Sequence, residues 1–375
     1  MQESMRVPVF WSGLADYRVF RIPVLLRTGP QALLAFAEGR PHFSDHGSID
    51  IVLRRSVNGG RTWGPVEALL DGSSLGSRRG TTVGNPVPIY VHERRELLML
   101  FCSNFGSSTE RAIRFGKVKP NAGRRVWLSR SFNLGRNWSQ PVELTAQLKL
   151  PEWTWYAVGP GGALSLRNGS LVVPATHARR ARRREIHGKY DHSHVLISHD
   201  VGATWSLGGV AATGSNEATV AELADGSVLL NARNLVKPGG ARVLQRSEDG
   251  GASWGEMWTA LREPRNAWFM PSGCHGSMVS ARRGARLFYS GPDTNGTKRL
   301  NVSISVSDDG GRSWALAARV HVGPSGYSSL ARLSARAGGR GKLGAQIELG
   351  VLYEGGARKQ HYAERVDFVR WTVPV

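Results

Sequence analysis

From Asn301 to Ser307 the chain alternates, with Val302, Ile304 and Val306 on one side and Ser303, Ser305 and Ser307 on the other. A period of two is the signature of a half-buried strand. The run ends in Asp308-Asp309-Gly310-Gly311. Short carboxylates there accept backbone N–H groups and glycine takes positive φ, so a tight turn follows. Trp314, just beyond, is large enough to cover the turn's own backbone. The same alternation runs from Ala163 to Val173 around Asn168-Gly169, and from Val220 to Leu230 around Asp225-Gly226. Asn-Gly and Asp-Gly are the strongest short hairpin signals. No long amphipathic helix is apparent, and the pattern predicts an all-β chain of short strands.

The turn itself recurs. Ser307–Trp314 is one of five copies of Ser-x-Asp-x-Gly-x-Ser/Thr-Trp, the others being Ser56–Trp63, Ser131–Trp138, Ser198–Trp205 and Ser247–Trp254. Asn58 and Asn133 replace the aspartate in two copies, and Asn137 stands at the Ser/Thr position of the second. Asn makes the same side-chain-to-backbone turn as Asp. The copies start about 63 residues apart on average, a period that implies a solenoid or a propeller with room for roughly six units. A six-bladed β-propeller, read as one domain over residues 1–375, is the simplest fit. After Trp314 come three strand-like runs without a box, Tyr327–Leu333, Ile347–Tyr353 and Val366–Trp371. Val7–Trp11 is expected to supply the fourth strand, tying both ends of the chain into one blade and removing an open edge.

Composition narrows the class. Among 375 residues no stretch approaches a membrane span, and the first ten carry neither a basic start nor an apolar core. Two cysteines, Cys102 and Cys274, are too few for a disulfide scaffold, so the expected location is cytoplasmic. Four Asn-x-Ser/Thr sequons read as chance in a Ser- and Gly-rich chain. The net charge of +20 favours an anionic partner. Its densest run is Arg179–Arg184, read as a solvated loop between a strand ending near Pro174-Ala175 and one starting near His194. With no aromatic residues interleaved, no nucleic-acid partner is expected, while peripheral contact with an acidic membrane surface is compatible with the charge. Cysteine and histidine spacing indicates no metal site, and Gly338–Gly341 lacks the following helix of a phosphate loop. No cofactor is expected.

In a propeller, residues distant in sequence converge at one end of the axis. Polar residues on otherwise apolar strands are therefore the site candidates. Arg21, Arg233 and Arg299 fit that description, and three arginine forks together read a carboxylate. At this point Phe20-Arg-Ile-Pro23, the five boxes, Val158–Gly161, Asn231-Ala-Arg233 and Leu352-Tyr-Glu-Gly-Gly356 make the chain resemble the exo-α-sialidase (neuraminidase) family over essentially its whole length. The resemblance implies a six-bladed propeller. It gives Arg21, Arg233 and Arg299 the grip on the sialic acid carboxylate, and Glu354 the role of orienting the first arginine. It makes Tyr327 the nucleophile, Glu217 its base and Asp45 the acid/base, with Arg40 and Asn85 contacting the sugar's substituents. Asp50 shares the segment of Asp45, and Lys298 adjoins Arg299.

These residue types suit the reaction. Sialidases are exceptions to the two-carboxylate pattern of glycosidases and use a tyrosine nucleophile. The anomeric carbon of sialic acid bears a carboxylate, which repels an attacking carboxylate, whereas a neutral phenol is not repelled. A phenol needs a base, since its pKa is near ~10. The expectation is a retaining exo-α-sialidase acting on sialoglycoconjugates. A trans-sialidase using the same site is the alternative, or a propeller that binds sialoglycans without catalysis.

Overall fold

The computed structural model describes residues 2–3, 6–76, 80–181, 188, 190–236, 241–262, 274–294, 298–336, 346–357 and 361–374. Its strands form six sheets around one axis, antiparallel except where the short strand Leu261–Arg262 pairs parallel with the outer strand of the fifth. Blade I runs Val19–Arg27, Leu33–Arg40, Asp50–Ser56 and Glu67–Leu70 from the axis outward. Blade II runs Thr81–Val91, Glu96–Phe105, Arg125–Ser131 and Val142–Glu143. Blade III is built on Trp153–Val158, Leu171–Arg179, Asp191–Ser198 and Ser206–Thr213, and blade IV on Ser215–Glu222, Val228–Asn234, Val243–Ser247 and Trp258–Thr259. Blade V has Ser277–Ala281, Arg286–Pro292, Val302–Ser307 and Ser313–Arg319. Blade VI has Ser325–Arg336, Gln346–Gly355 and Arg365–Pro374, closed by Val7–Trp11 and Gln2–Glu3 pairing with the last of these. The predicted closure of both termini into one blade is therefore what the chain does.

The apolar faces of these strands pack blade against blade, and six buried clusters lie at the six interfaces. Phe36 of blade I meets Met99 and Trp127 of blade II, for example, and Phe10 and Phe368 of blade VI meet Phe20 and Val52 of blade I. The other four interfaces are filled likewise. Each large side chain so buried contributes roughly 1.5–3 kcal/mol, and Val7–Trp11 covers the edge that Arg365–Pro374 would otherwise leave open in blade VI.

All five boxes join the third and fourth strands of blades I–V. In each, the serine Oγ accepts the N–H of the second glycine position at 2.7–2.9 Å. The Asp or Asn Oδ1 accepts the N–H four residues on at 2.8–3.0 Å. Asn137 donates through its backbone alone, so its departure from Ser/Thr leaves the turn intact. Trp138 and Trp314 donate their indole N–H to their own turn's backbone.

The basic run departs from its expected boundaries. The flanking strands extend to Arg179 and start at Asp191, because their pairing continues through Ala178↔Asp191. Arg179 and Arg180 are exposed, Ala181 is buried, and Arg182–Arg184 lie outside the described residues, as does Gly338–Gly341. Among the described residues no helix is long and apolar enough to cross a membrane.

Candidate active site

Tight turns, including the boxes, close one face of the propeller. The starts of the innermost strands and the ends of the second strands open on the other. There they surround a cavity of about 300 Å³. Arg21, Arg40, Asp45, Asn85, Glu217, Arg233, Arg299 and Tyr327 all line it. Asp50 and Lys298 do not. Asp50 instead accepts the Tyr17 hydroxyl at 2.8 Å, while Lys298 is exposed.

The innermost strands are irregular where they carry site residues. Their pairing slips between Arg21 and Val24, Gly84 and Val87, Ser215 and Ala218, and Ser325 and Ser328. Arg21 and Ile22, Asn85, Glu217 and Tyr327 sit in or at these slips. A bulge re-aims side chains that a regular pleat would turn up and down in strict alternation. Ile22 and Asn85 both hold φ of 57°. For a β-branched residue this is strained by about 1–3 kcal/mol and persists only where the surroundings fix it.

Glu354 supplies that fixing for Ile22. Fully buried at the end of the second strand of blade VI, it accepts Arg21 Nε at 3.0 Å and Nη2 at 3.3 Å in a bidentate pair. It also accepts the backbone N–H of Ile22 at 2.9 Å and of Tyr327 at 3.0 Å. One carboxylate thus sets an arginine of blade I and the tyrosine of blade VI relative to each other. The fit is close: a Cβ at Gly326 would stand 2.0 Å from Glu354 Oε2. The requirement for glycine at position 326 follows.

Tyr327 is the convergence point. Its hydroxyl donates to Glu217, 2.7 Å from both carboxylate oxygens, and accepts from Arg233 Nη1 at 3.2 Å. Arg233 Nη1 also donates to Glu217 Oε2 at 2.5 Å. The guanidinium carbons of Arg21 and Arg299 lie 5.1 and 5.4 Å from the tyrosine ring centre. Burial pushes the Tyr327 hydroxyl well above its ordinary pKa, and the Glu217 charge adds to the rise. Burial works against Glu217 ionisation, but Arg233 above all, with the Tyr327 hydroxyl, overcomes it and holds the carboxyl down at about 2. His275 lies against Tyr327 with ring centres 5.4 Å apart and planes tilted by 50°, and burial lowers its imidazole to about 3, so it is neutral.

On the opposite rim Arg40 Nη1 donates to Asp45 Oδ1 at 2.7 Å, and Arg21 Nη1 lies 3.6 Å from the same oxygen. Burial would raise the Asp45 carboxyl, yet Arg40 and Arg21 together keep it below the usual carboxylate range. Its side chain is 60% exposed, so it stands at the cavity's mouth.

Several functional neighbours are absent from the sequence reading. Glu38 accepts two donors of Arg40 and the backbone N–H of Asn85 at 2.7 Å. It does for blades I and II what Glu354 does for VI and I. A signal for it exists: Glu38 and Arg40 are the charged pair, two apart and therefore on one face, in the buried strand Leu33–Arg40. Tyr362 accepts Arg299 Nη1 at 2.9 Å and lies under Arg21, in a stretch with no periodicity to betray it. Arg114 and Arg124 flank Trp155, with guanidinium carbons 5.3 and 4.8 Å from its ring. The cavity lining holds six arginines against four carboxylates, so it suits an anion.

Comparison with known proteins places the chain in a family. Residues 31–342 match the family model of a BNR repeat-like domain. Sialidase-2 of Rattus norvegicus is 32% identical over 361 residues, spanning 90% of this chain and 89% of its own. The chain belongs to the sialidase family. A sialidase of Bacteroides fragilis is 27% identical over 94% of this chain, which spans only 63% of that relative's length. Among solved structures, the Hadza microbial sialidase Hz136 superposes with a TM-score of 0.80 at 25% identity, covering 99% of this chain and 68% of its own. The sialidase fold extends further: Trypanosoma rangeli sialidase, solved as a covalent intermediate with 2,3-difluorosialic acid, has a TM-score of 0.72 at 20% identity over 98% of this chain and 59% of that one.

Proposed function

We propose that the chain is a retaining exo-α-sialidase that releases terminal α-linked sialic acid from glycoproteins, glycolipids or oligosaccharides through a tyrosyl intermediate, with the six blades acting as one catalytic domain. The observation that carries this reading is the Tyr327 hydroxyl, 2.7 Å from both oxygens of Glu217 and 3.2 Å from Arg233. A phenol paired with a carboxylate beneath three arginines is the arrangement such chemistry needs.

In this mechanism Arg21, Arg233 and Arg299 hold the substrate carboxylate and so place the anomeric carbon over Tyr327. Proton transfer from a phenol raised well above 10 to a carboxylate at about 2 is far uphill in the resting site. The proton therefore moves to Glu217 only as the tyrosine oxygen bonds to the anomeric carbon and its basicity collapses. Arg233, within reach of both oxygens, steadies the charge in transit. Asp45 gives its proton to the leaving oxygen. Ionised again, it takes a proton from water, which attacks the tyrosyl-linked carbon and returns Tyr327 its electron pair. Glu217 gives its proton back to the phenolate, and two inversions leave the configuration retained. Asn85 and Arg40 contact the sugar's substituents, and no added metal is required.

The buried, unbridged Cys102 and Cys274 suit a reducing, cytoplasmic setting. The excess positive charge suits approach to anionic glycolipid surfaces. Incubation with a 2,3-difluoro sialic acid tests the reading, because the 3-fluorine slows the second step. The expected adduct maps to Tyr327 by peptide mass spectrometry. An adduct on Glu217 or Asp45 reverses the assigned roles, and no turnover of a fluorogenic sialoside between pH 4 and 8 removes the enzyme.

A further inference from the structure

We infer that Phe43 and His361 form a stacking platform for the first sugar ring of the leaving group; the inference rests on the hydrolase reading above. Phe43 is 40% exposed yet belongs to the cavity lining, two residues from Asp45. Its ring meets His361 edge-on, with centres 4.3 Å apart and planes at 78°, and meets Tyr362 at 5.7 Å and 73°. His361 is itself exposed. The result is a small aromatic ledge at the mouth of a cavity whose lining is mostly charged and polar.

Position decides what the ledge would hold. The oxygen that Asp45 protonates has to lie within hydrogen-bond reach of that carboxylate. The sugar attached to that oxygen then projects outward over the segment carrying both Asp45 and Phe43. Arg40 Nη1 ties the two together, donating to the carbonyls of Phe43 at 3.4 Å and Ser44 at 3.2 Å as well as to Asp45. Anything that moves the acid moves the ledge with it. A pyranose ring has faces of C–H groups carrying partial positive charge, which complement the negative face of an aromatic ring. Val57 and Phe132, 84% and 71% exposed, lack such a setting, for they sit in box turns on the opposite face. Isolated exposure of that kind needs no ligand to explain it.

The test compares a substrate that has a leaving-group sugar with a ligand that has none. For Phe43→Ala, kcat/KM on 3′-sialyllactose should fall by roughly 5- to 20-fold, mainly through KM. The inhibition constant of 2-deoxy-2,3-didehydro-N-acetylneuraminic acid should stay within about twofold, since its whole frame lies inside the arginine pocket. Phe43→Trp should keep sialyllactose turnover, and His361→Ala should show a smaller loss with the same selectivity. Unchanged sialyllactose kinetics in Phe43→Ala overturns the platform. So does equal weakening of substrate and inhibitor, which would mean that Phe43 acts by bracing Arg21, 5.3 Å from its ring. Should Phe43→Ala not fold, Phe43→Leu keeps the bulk without the π face and is read the same way. If the wild type binds but never cleaves sialyllactose, the hydrolase reading fails. The platform is then still decided by the dissociation constants of the same two ligands.

Discussion

The two faces of this propeller obey different rules. On the box face one turn is written five times, each with the same serine and Asp or Asn bonds, and each solves the same local problem of closing a hairpin. On the cavity face nothing repeats. Blade I contributes Arg21, Arg40 and Asp45, blade IV Glu217 and Arg233, blade V Arg299, and blade VI Tyr327 and Glu354. The inner strands bulge there, Ile22 is strained, and buried carboxylates tie one blade to the next. The box face devotes its residues to stability and the cavity face to placing charge. Changes on the two faces should therefore show up in different measurements.

Tyr327→Phe gives the largest expected separation. It removes the nucleophilic oxygen and keeps the ring, so turnover should fall by about 10³-fold or more and the difluoro adduct should vanish. Stability should change by about 1.5–3 kcal/mol, the contribution of a hydroxyl bonded to a charged group, here Glu217 with Arg233 beside it. A large drop in melting temperature would place Tyr327 among the structural residues and break the comparison.

Trp314→Ala is its counterpart on the box face. Trp314 is 1% exposed, packs on Tyr289, and bonds its own turn, so its loss should cost about 3–5 kcal/mol of stability. The kcat/KM of the molecules that remain folded should not change, as read in initial rates well below the lowered transition. Arg233→Lys returns to the cavity: losing the planar fork between Glu217 and the substrate carboxylate should cost 10- to 100-fold in kcat/KM with a near-native melting temperature. An unchanged kcat/KM would put Arg233 outside the reaction.

The same contrast explains why one face is legible in the amino-acid sequence and the other is not. A box is local, since every group it needs lies within eight residues, so its signature survives in the sequence. Blade number and the closure by Val7–Trp11 follow from counting. Arg21, Arg233 and Arg299 stand out as polar residues on apolar strands, but the other cavity residues are legible only through resemblance, because Arg21, Glu354 and Tyr327 meet across more than 300 residues and no spacing links them. Glu38 escapes notice because its strand reads as core, and Tyr362, Phe43 and His361 because irregular connections have no period. The ends of the strands around the basic run are hidden for another reason. His177 and His192 look polar in sequence, but His177 stacks on Trp153 at 3.6 Å and both stay in the ladder.

Asp45 sharpens the comparison through pH. In the free site Arg40 and Arg21 outweigh burial and hold its carboxyl below the usual range, so a proton-donating Asp45 is scarce as pH rises. A bound substrate carboxylate takes up Arg21 and weakens its hold on Asp45, 3.6 Å away. The alkaline limb should then lie at higher pH in kcat than in kcat/KM. Coincident limbs would show that Arg21 does not govern the acid.

The smallest effect concerns the boxes themselves, where nature has set Asp beside Asn. Asp249 accepts from the Ser247 and Ser253 hydroxyls and from the Ser253 N–H, and these bonds, more than charge or burial, hold its carboxyl down at about 2. A carboxyl whose folded pKa is depressed stabilises the fold above its unfolded value, near ~3.9, and loses that contribution as pH falls toward 2. The Asn58 box makes the equivalent bonds with a neutral amide and has nothing to titrate. Asp249→Asn should therefore lower the melting temperature at pH 6 by only about 1 °C, since the turn is exposed and its charge is screened. The deficit should shrink between pH 4 and pH 2, as first the unfolded and then the folded aspartate takes up its proton. A deficit that stays constant across that range would mean that the aspartate acts as Asn58 does, through turn geometry alone, and that its charge adds nothing to the box.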